Sequence, residues 1–250
     1  MRAIATVLLT AVLLAVALIA LAPAALMGPR LAEASAGVVT LVESEGSLWR
    51  GRATLAMSDS RLPFAWSVDA TDFLRGRLTL RISPQDADGT MPVATVTAGR
   101  DGILLSDIDV VVPAHAASAA LASAKGIALG GDLSLSIKRL EARSGSLSGQ
   151  AVIVWRRARA VVAAGGPVRD FGDVTVTLAG DDGRLAGPMT NEGGRAAIRG
   201  DVALNLRGAV AVTALVTPRR ADDGELASLL AAVGNPEPGG WRIDWRNGAL

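Results

Sequence analysis

Gly46–Met57 reads GSLWRGRATLAM, and Gly145–Trp155 reads GSLSGQAVIVW. Read as strands, both place apolar residues at every second position. In the first, Trp49, Gly51, Ala53, Leu55 and Met57 share a face, while Arg50, Arg52 and Thr54 share the other. In the second, Leu147, Gly149, Ala151, Ile153 and Trp155 share a face. The two faces superimpose as a large residue, glycine, alanine, a large aliphatic and a large residue. Glycine within a strand marks a bulge or the close approach of another group, since a missing Cβ leaves room for one. The second stretch is one residue shorter between GSL and its alanine, which predicts a bulge in one of the copies. A ligand site made of Trp49, Arg50 and Arg52 would need all three on one face. Alternation puts the arginines opposite the indole, so the stretch reads as an element that bends a sheet.

The same rhythm runs through the chain. FAWSVDA places Phe64, Trp66, Val68 and Ala70 on one face, and RLTLRI does so for Leu78, Leu80 and Ile82. LSLSI, VTVTL and DVALNL align Leu133, Leu135 and Ile137, then Val174, Val176 and Leu178, then Val202, Leu204 and Leu206. The opposite positions are mostly Ser, Thr, Arg, Asp and Asn, and Gly, Pro, Asp and Asn cluster between the runs. This is the pattern of half-buried strands joined by tight turns. About a dozen strands are expected. The connections are too short for crossover helices, so the strands are antiparallel neighbours. The expected fold is mainly β, a long, twisted or curved antiparallel sheet made of two related β units near 38–125 and 126–250. A weaker third echo is GRLAG, Gly183–Gly187. Short covering helices are expected at Pro113–Ala124 and Asp222–Gly234, and Arg156–Ala164 is ambiguous between helix and strand. Leu226, Leu229, Leu230 and Val233 would form the apolar stripe of the second helix.

The N-terminus differs from the rest. Ala3–Met27 carries no charge and as a helix would span about 37 Å, against about 30 Å of membrane hydrocarbon. It reads as an uncleaved signal anchor over 1–30, with AEASAG (Ala32–Gly37) as the cleavage site of the competing signal-peptide reading. Arg2 and the α-amino group precede the segment, which favours a cytoplasmic N-terminus and a periplasmic domain over 31–250.

Composition excludes several functions. The chain has no Cys and one His, His115, so thiolate chemistry, disulfides and Cys- or His-rich metal sites are ruled out. A formal net charge of +1 over 250 residues gives no basic footprint for nucleic acid. Asp107 and Asp109 lie on one face but read as the solvent side of a strand. Arg156, Arg157 and Arg159 could meet lipid headgroups or an acidic partner, and read first as a solvated face. No serine sits in a nucleophile elbow and no glycine run has phosphate-loop spacing. Nothing assembles into an active site, so a binding or assembly role without catalysis, metal or cofactor is expected.

GSLWRGRA, LPFAWSVD, the proline-led Pro113 segment and SGSLSGQAVIVWRRA follow one another, and a glycine-spaced β region closes the chain. In this order they resemble the type II secretion system protein N family. The residues that match its pattern are Gly46, Leu48, Trp49 and Gly51, then Pro63 and Trp66, then Gly145, Leu147, Gly149 and Trp155. The resemblance implies a single-pass inner-membrane protein with a periplasmic β domain. It would be an accessory subunit of the machine that exports folded proteins, with no enzymatic activity and no cofactor. Other secretion subunits would be its partners, and residues 3–27 would contact the lipid bilayer. An alternative from the one-sided sheet is a lipid-binding groove, similar in kind to the AsmA-like lipid-transfer proteins.

Overall fold

The computed structural model describes residues 23–34, 40–57, 60–85, 94–115, 127–162, 168–181, 183–205 and 209–247. They fall into two compact units, divided between Val93 and Ala94. The first contains α1 (Met27–Ala34), β1 (Thr40–Gly46), β2 (Arg50–Met57), β3 (Ser60–Val68), α2 (Ala70–Leu74) and β4 (Leu78–Pro84). Its strands pair antiparallel in the order β1-β2-β3-β4.

The second unit contains β5 (Ala94–Gly99), β6 (Gly102–Pro113), β7 (Ile127–Arg143), β8 (Ser146–Val162), β9 (Val168–Asp181) and β10 (Arg184–Glu192). It continues with β11 (Ala196–Asn205), β12 (Val210–Pro218), α3 (Gly224–Val233), β13 (Asn235–Glu237) and β14 (Gly240–Asn247). Each strand from β5 to β12 pairs antiparallel with its neighbour in sequence, β14 follows β12, and β13 lies outside β14. The short turns seen in the sequence produce this meander, because a hairpin is the shortest route between antiparallel strands.

The alternating residues form the cores. Ala53 and Trp66 are buried with Ala24, and Leu41, Phe64 and Leu80 pack around them. Ile137, Leu140, Leu147, Ala151, Leu178 and Leu185 form a second cluster. A third joins Leu226 and Leu230 of α3 to Ala196, Ala214 and Val216.

Three expectations change. The one-residue difference between the two GSL stretches is not a bulge in one copy. Both copies face a bulge, and it lies on the preceding strand. Val42 and Glu45 of β1 pair with Thr54 and Arg52, so Glu43 and Ser44 stand opposite Ala53. Ser136 and Arg139 of β7 pair with Val152 and Gln150, so Ile137 and Lys138 stand opposite Ala151. Trp49 does not share a strand face with Gly51, because β2 begins at Arg50. The Trp49 and Arg50 N–H groups donate to Ser47 Oγ, each at 3.3 Å, and close a turn there. Alternation in β3 stops at Val68, because Asp69 accepts from the Thr71 N–H and starts α2 at Ala70.

The ambiguous Arg156–Ala164 stretch is strand through Val162. The Asp222–Gly234 helix is present as α3, with Asp223 capping it, but Val233 is 61% exposed and leaves the apolar stripe. Residues 116–126 of the proline-led segment and residues 1–22 of the expected anchor lie outside the described residues. Among the described residues no helix is long and apolar enough to cross a membrane.

Candidate functional site

The most extended surface of the second unit is a sheet face. Register carries one line of side chains across it: Val110, Leu135, Ile153, Val176, Met189, Gly200, Ala214 and Ile243, each opposite the next. The parallel line through Val112, Leu133, Trp155 and Val174 is equally apolar. Residues one step along each strand, such as Ser134, Thr175, Thr190 and Arg199, lie on the opposite face, as the pleat requires.

Burial along the apolar face is uneven. Over β11, β12 and β14 it is covered by α3, whose Leu226 and Leu230 pack on Ala196, Ala214 and Val216. Over β7 and β8, Leu133, Leu135, Ile153 and Trp155 are only half-buried, and among the described residues no helix packs against them. The Trp155 Nε1–H donates to the Gly130 carbonyl at 2.9 Å, so the indole lies against the face with its polar atom satisfied.

Charged groups hold the covering helix. Asp223 Oδ1 accepts from the Leu226 N–H at 3.1 Å as the helix cap. Arg195 grips the same carboxylate with two bonds, Nε to Oδ2 at 2.8 Å and Nη2 to Oδ1 at 2.5 Å. This fork holds the Asp223 carboxyl below the usual carboxylate range, against the opposing effect of burial. Arg169 Nη1, from β9, lies 2.9 Å from Glu225 Oε1. The alignment is too poor for a hydrogen bond, so that contact is purely ionic. The sequence shows acidic residues at the helix start but carries no signal for Arg169 or Arg195, which meet α3 only through the fold.

An open groove of about 280 Å³ is lined by Pro113, His115, Gly131, Asp132, Arg157 and Arg159. Arg157 and Arg159 of the basic run border it, and Arg157 is ion-paired with Asp132. Asp107 and Asp109 are exposed. Among the described residues no three acidic or histidine side chains gather as a metal site would require.

In the first unit Gly46, Leu48, Trp49, Gly51 and Trp66 gather around the β1–β2 turn. The Trp66 indole stands opposite Gly51 and donates from Nε1 to the Leu48 carbonyl at 3.2 Å. A Cβ on Gly51 would come within 2.4 Å of that ring, so the glycine makes room for Trp66. Trp49 packs edge-on against Phe73 of α2, with centroids 5.5 Å apart. Gly46 pairs with Gly51, and Pro63 lies one residue past the last β3–β4 pair, Phe64 with Pro84. In the second unit, Gly145 occupies the β7–β8 turn at φ +89°, and Leu147 is buried. Gly149 has φ +120°, and a Cβ there would lie 2.2 Å from the Arg139 carbonyl oxygen. Arg50 and Arg52 stay on the exposed side, with Arg52 paired to Glu45 at 2.5 Å.

No curated protein and no solved structure matches this chain. The family model for type II secretion system (T2SS), protein N, matches residues 38–243, from ahead of β1 into β14, and the chain belongs to that family.

Proposed function

We propose that this chain is a non-catalytic accessory subunit of the type II secretion machine, held in the inner membrane by residues 3–27 with its N-terminus in the cytoplasm. Its β units stand in the periplasm and contact other secretion subunits while folded proteins are exported. The family match over residues 38–243 carries this reading. The extended apolar and polar sheet faces, among whose described residues no three acidic or histidine side chains gather, are suited to contact. The test is co-purification of the full chain from detergent-solubilised envelopes after mild crosslinking. Recovery of secretion subunits at levels above an unrelated anchored protein supports the reading, and their absence overturns it.

A second reading is a lipid-binding groove. It is favoured by the half-buried Leu133, Leu135, Ile153 and Trp155, which would gain apolar contact from an acyl chain. Native mass spectrometry of the full chain released from gentle detergent tests it. Retained phospholipid that is lost on Leu135→Glu substitution supports the groove, and a lipid-free protein removes it.

A further inference from the structure

The outer strand of each unit is finished in its own way. β1 carries a bulge at Glu43 and Ser44 and has α1 beside it, which are ordinary ways of blocking an edge. In the second unit, β13 covers β14 only from Gly240 to Arg242. The chain then turns away through Gly234, whose Cβ position would lie 2.9 Å from the Arg242 carbonyl. From Asp244 to Asn247 no described strand pairs with β14 on that side. Backbone N–H and C=O groups there are left for a partner strand or water.

The side chains along this open edge read Asp244, Trp245, Arg246. Trp245 stands opposite Val212 on the apolar face, and Asp244 stands opposite Thr213 on the polar face. Asp244 and Arg246 are both exposed. The triplet is its own complement when two copies run antiparallel about Trp245. Asp244 of each copy then faces Arg246 of the other, and the two indoles meet on the apolar face. Opposite charges and aromatic pairs directly across antiparallel strands both favour pairing. A two-fold axis through Trp245 uses each of these contacts twice, as an isologous interface must.

We propose that the β14 edge is a homodimer interface, in which Asp244–Arg246 pairs antiparallel with the same segment of a second copy, centred on Trp245. The short contact makes the dimer dependent on the charge match, and joins the second units of two copies at their β14 edges. The proposal concerns self-association and does not rest on the identity of any secretion partner.

Because the chain contains no cysteine, a single introduced thiol reports its own neighbourhood. The experiment uses the full chain in mild detergent. Sedimentation should show a concentration-dependent dimer, weakened about tenfold by Arg246→Asp, which sets two pairs of carboxylates against each other. Adding Asp244→Arg to that variant should restore dimerisation, since the charge match returns with its signs exchanged. Trp245→Cys should form a covalent dimer on mild oxidation, while Arg199→Cys, in the middle of the sheet, should not. A monomer at all concentrations overturns the proposal. So does a dimer indifferent to Arg246→Asp, or one that forms with no crosslink at position 245. A second strand class on this edge, such as a segment of another subunit, would appear as a monomeric chain and also overturns it.

Discussion

The β1–β2 and β7–β8 hairpins use one arrangement with two different fillings. In each, a bulge on the first strand stands opposite a buried alanine of the second, Ala53 at 1% exposure and Ala151 at 2%. In each, a glycine two residues before that alanine tolerates a contact that a Cβ would forbid. In both, one forbidding atom is a backbone carbonyl oxygen of the bulged strand, Glu45 at 2.5 Å from the Cβ position of Gly51 and Arg139 at 2.2 Å from that of Gly149. The first hairpin adds a side chain, because the Trp66 ring also comes within 2.4 Å of the Cβ position of Gly51. Each hairpin also engages an indole N–H through a backbone carbonyl, Leu48 for Trp66 of the neighbouring β3 and Gly130 for Trp155. A repeated sequence pattern thus preserves the backbone geometry and the close carbonyl, while the first hairpin brings a ring into the same space.

The largest expected effect separates the tryptophans. Trp66 is 4% exposed, so Trp66→Ala should cost about 3–5 kcal/mol through the cavity it leaves. Trp155 and Trp49 are half-buried, and their alanine variants should cost about 1–2 kcal/mol each. Urea unfolding of the three variants checks the order. A Trp49 variant that matched Trp66→Ala would mean that the turn, not the strand, holds the first unit together.

The glycines come next. Gly149→Ala forces both a left-handed backbone and a backbone clash, so a loss of about 2–4 kcal/mol is expected. Gly51→Ala should cost about 1–3 kcal/mol. The sharper comparison is a double-mutant cycle. Trp66→Leu should recover part of the Gly51→Ala loss, because the obstructing ring has gone. It recovers only part, because the Glu45 carbonyl also lies 2.5 Å from the added Cβ. No side-chain truncation should rescue Gly149→Ala. Equal rescue at both glycines would show that the two hairpins share a filling after all.

These hairpins also show what alternation can and cannot reveal. The strands were legible because each hides one face and wets the other, so hydrophobicity repeats every two residues. Which tryptophan Gly51 accommodates was not legible. That depends on the pairing of Gly51 with Trp66 on the next strand, and on the Ser47 turn that removes Trp49 from β2. The bulges were misplaced for the same reason: a bulge is a mismatch between two strands, and a sequence shows one strand at a time. At the covering helix, the cap Asp223 was local and readable. Its partner Arg195 is 28 residues away in the chain and its neighbour Glu225 binds Arg169 from β9, contacts that only folding brings together.

The smallest expected effect concerns that helix and distinguishes the covered end of the apolar face from the half-exposed β7–β8 region. The Arg195 fork lowers the Asp223 carboxyl below its usual value. As pH falls, the unfolded carboxyl therefore takes up its proton before the folded one. The stabilisation is complete above the ordinary carboxylate value near 3.9 and is lost as pH drops through the lower folded value. Docking of α3 should thus be unchanged between about pH 5 and 7 and weaken below about pH 4. Hydrogen-exchange protection of the Leu226–Leu230 amides, corrected for intrinsic rates, should fall there before protection in β7 and β8 does. Asp223→Asn keeps a capping oxygen but cannot ionise, so its protection should be lower at pH 7 and nearly independent of pH down to 3. If the variant loses protection on acidification as steeply as the native chain, the helix is held by its leucines alone. The arginine fork would then be a surface ornament on a hydrophobic contact, and the covered end of the face would differ from the open end only in the side chains stacked upon it.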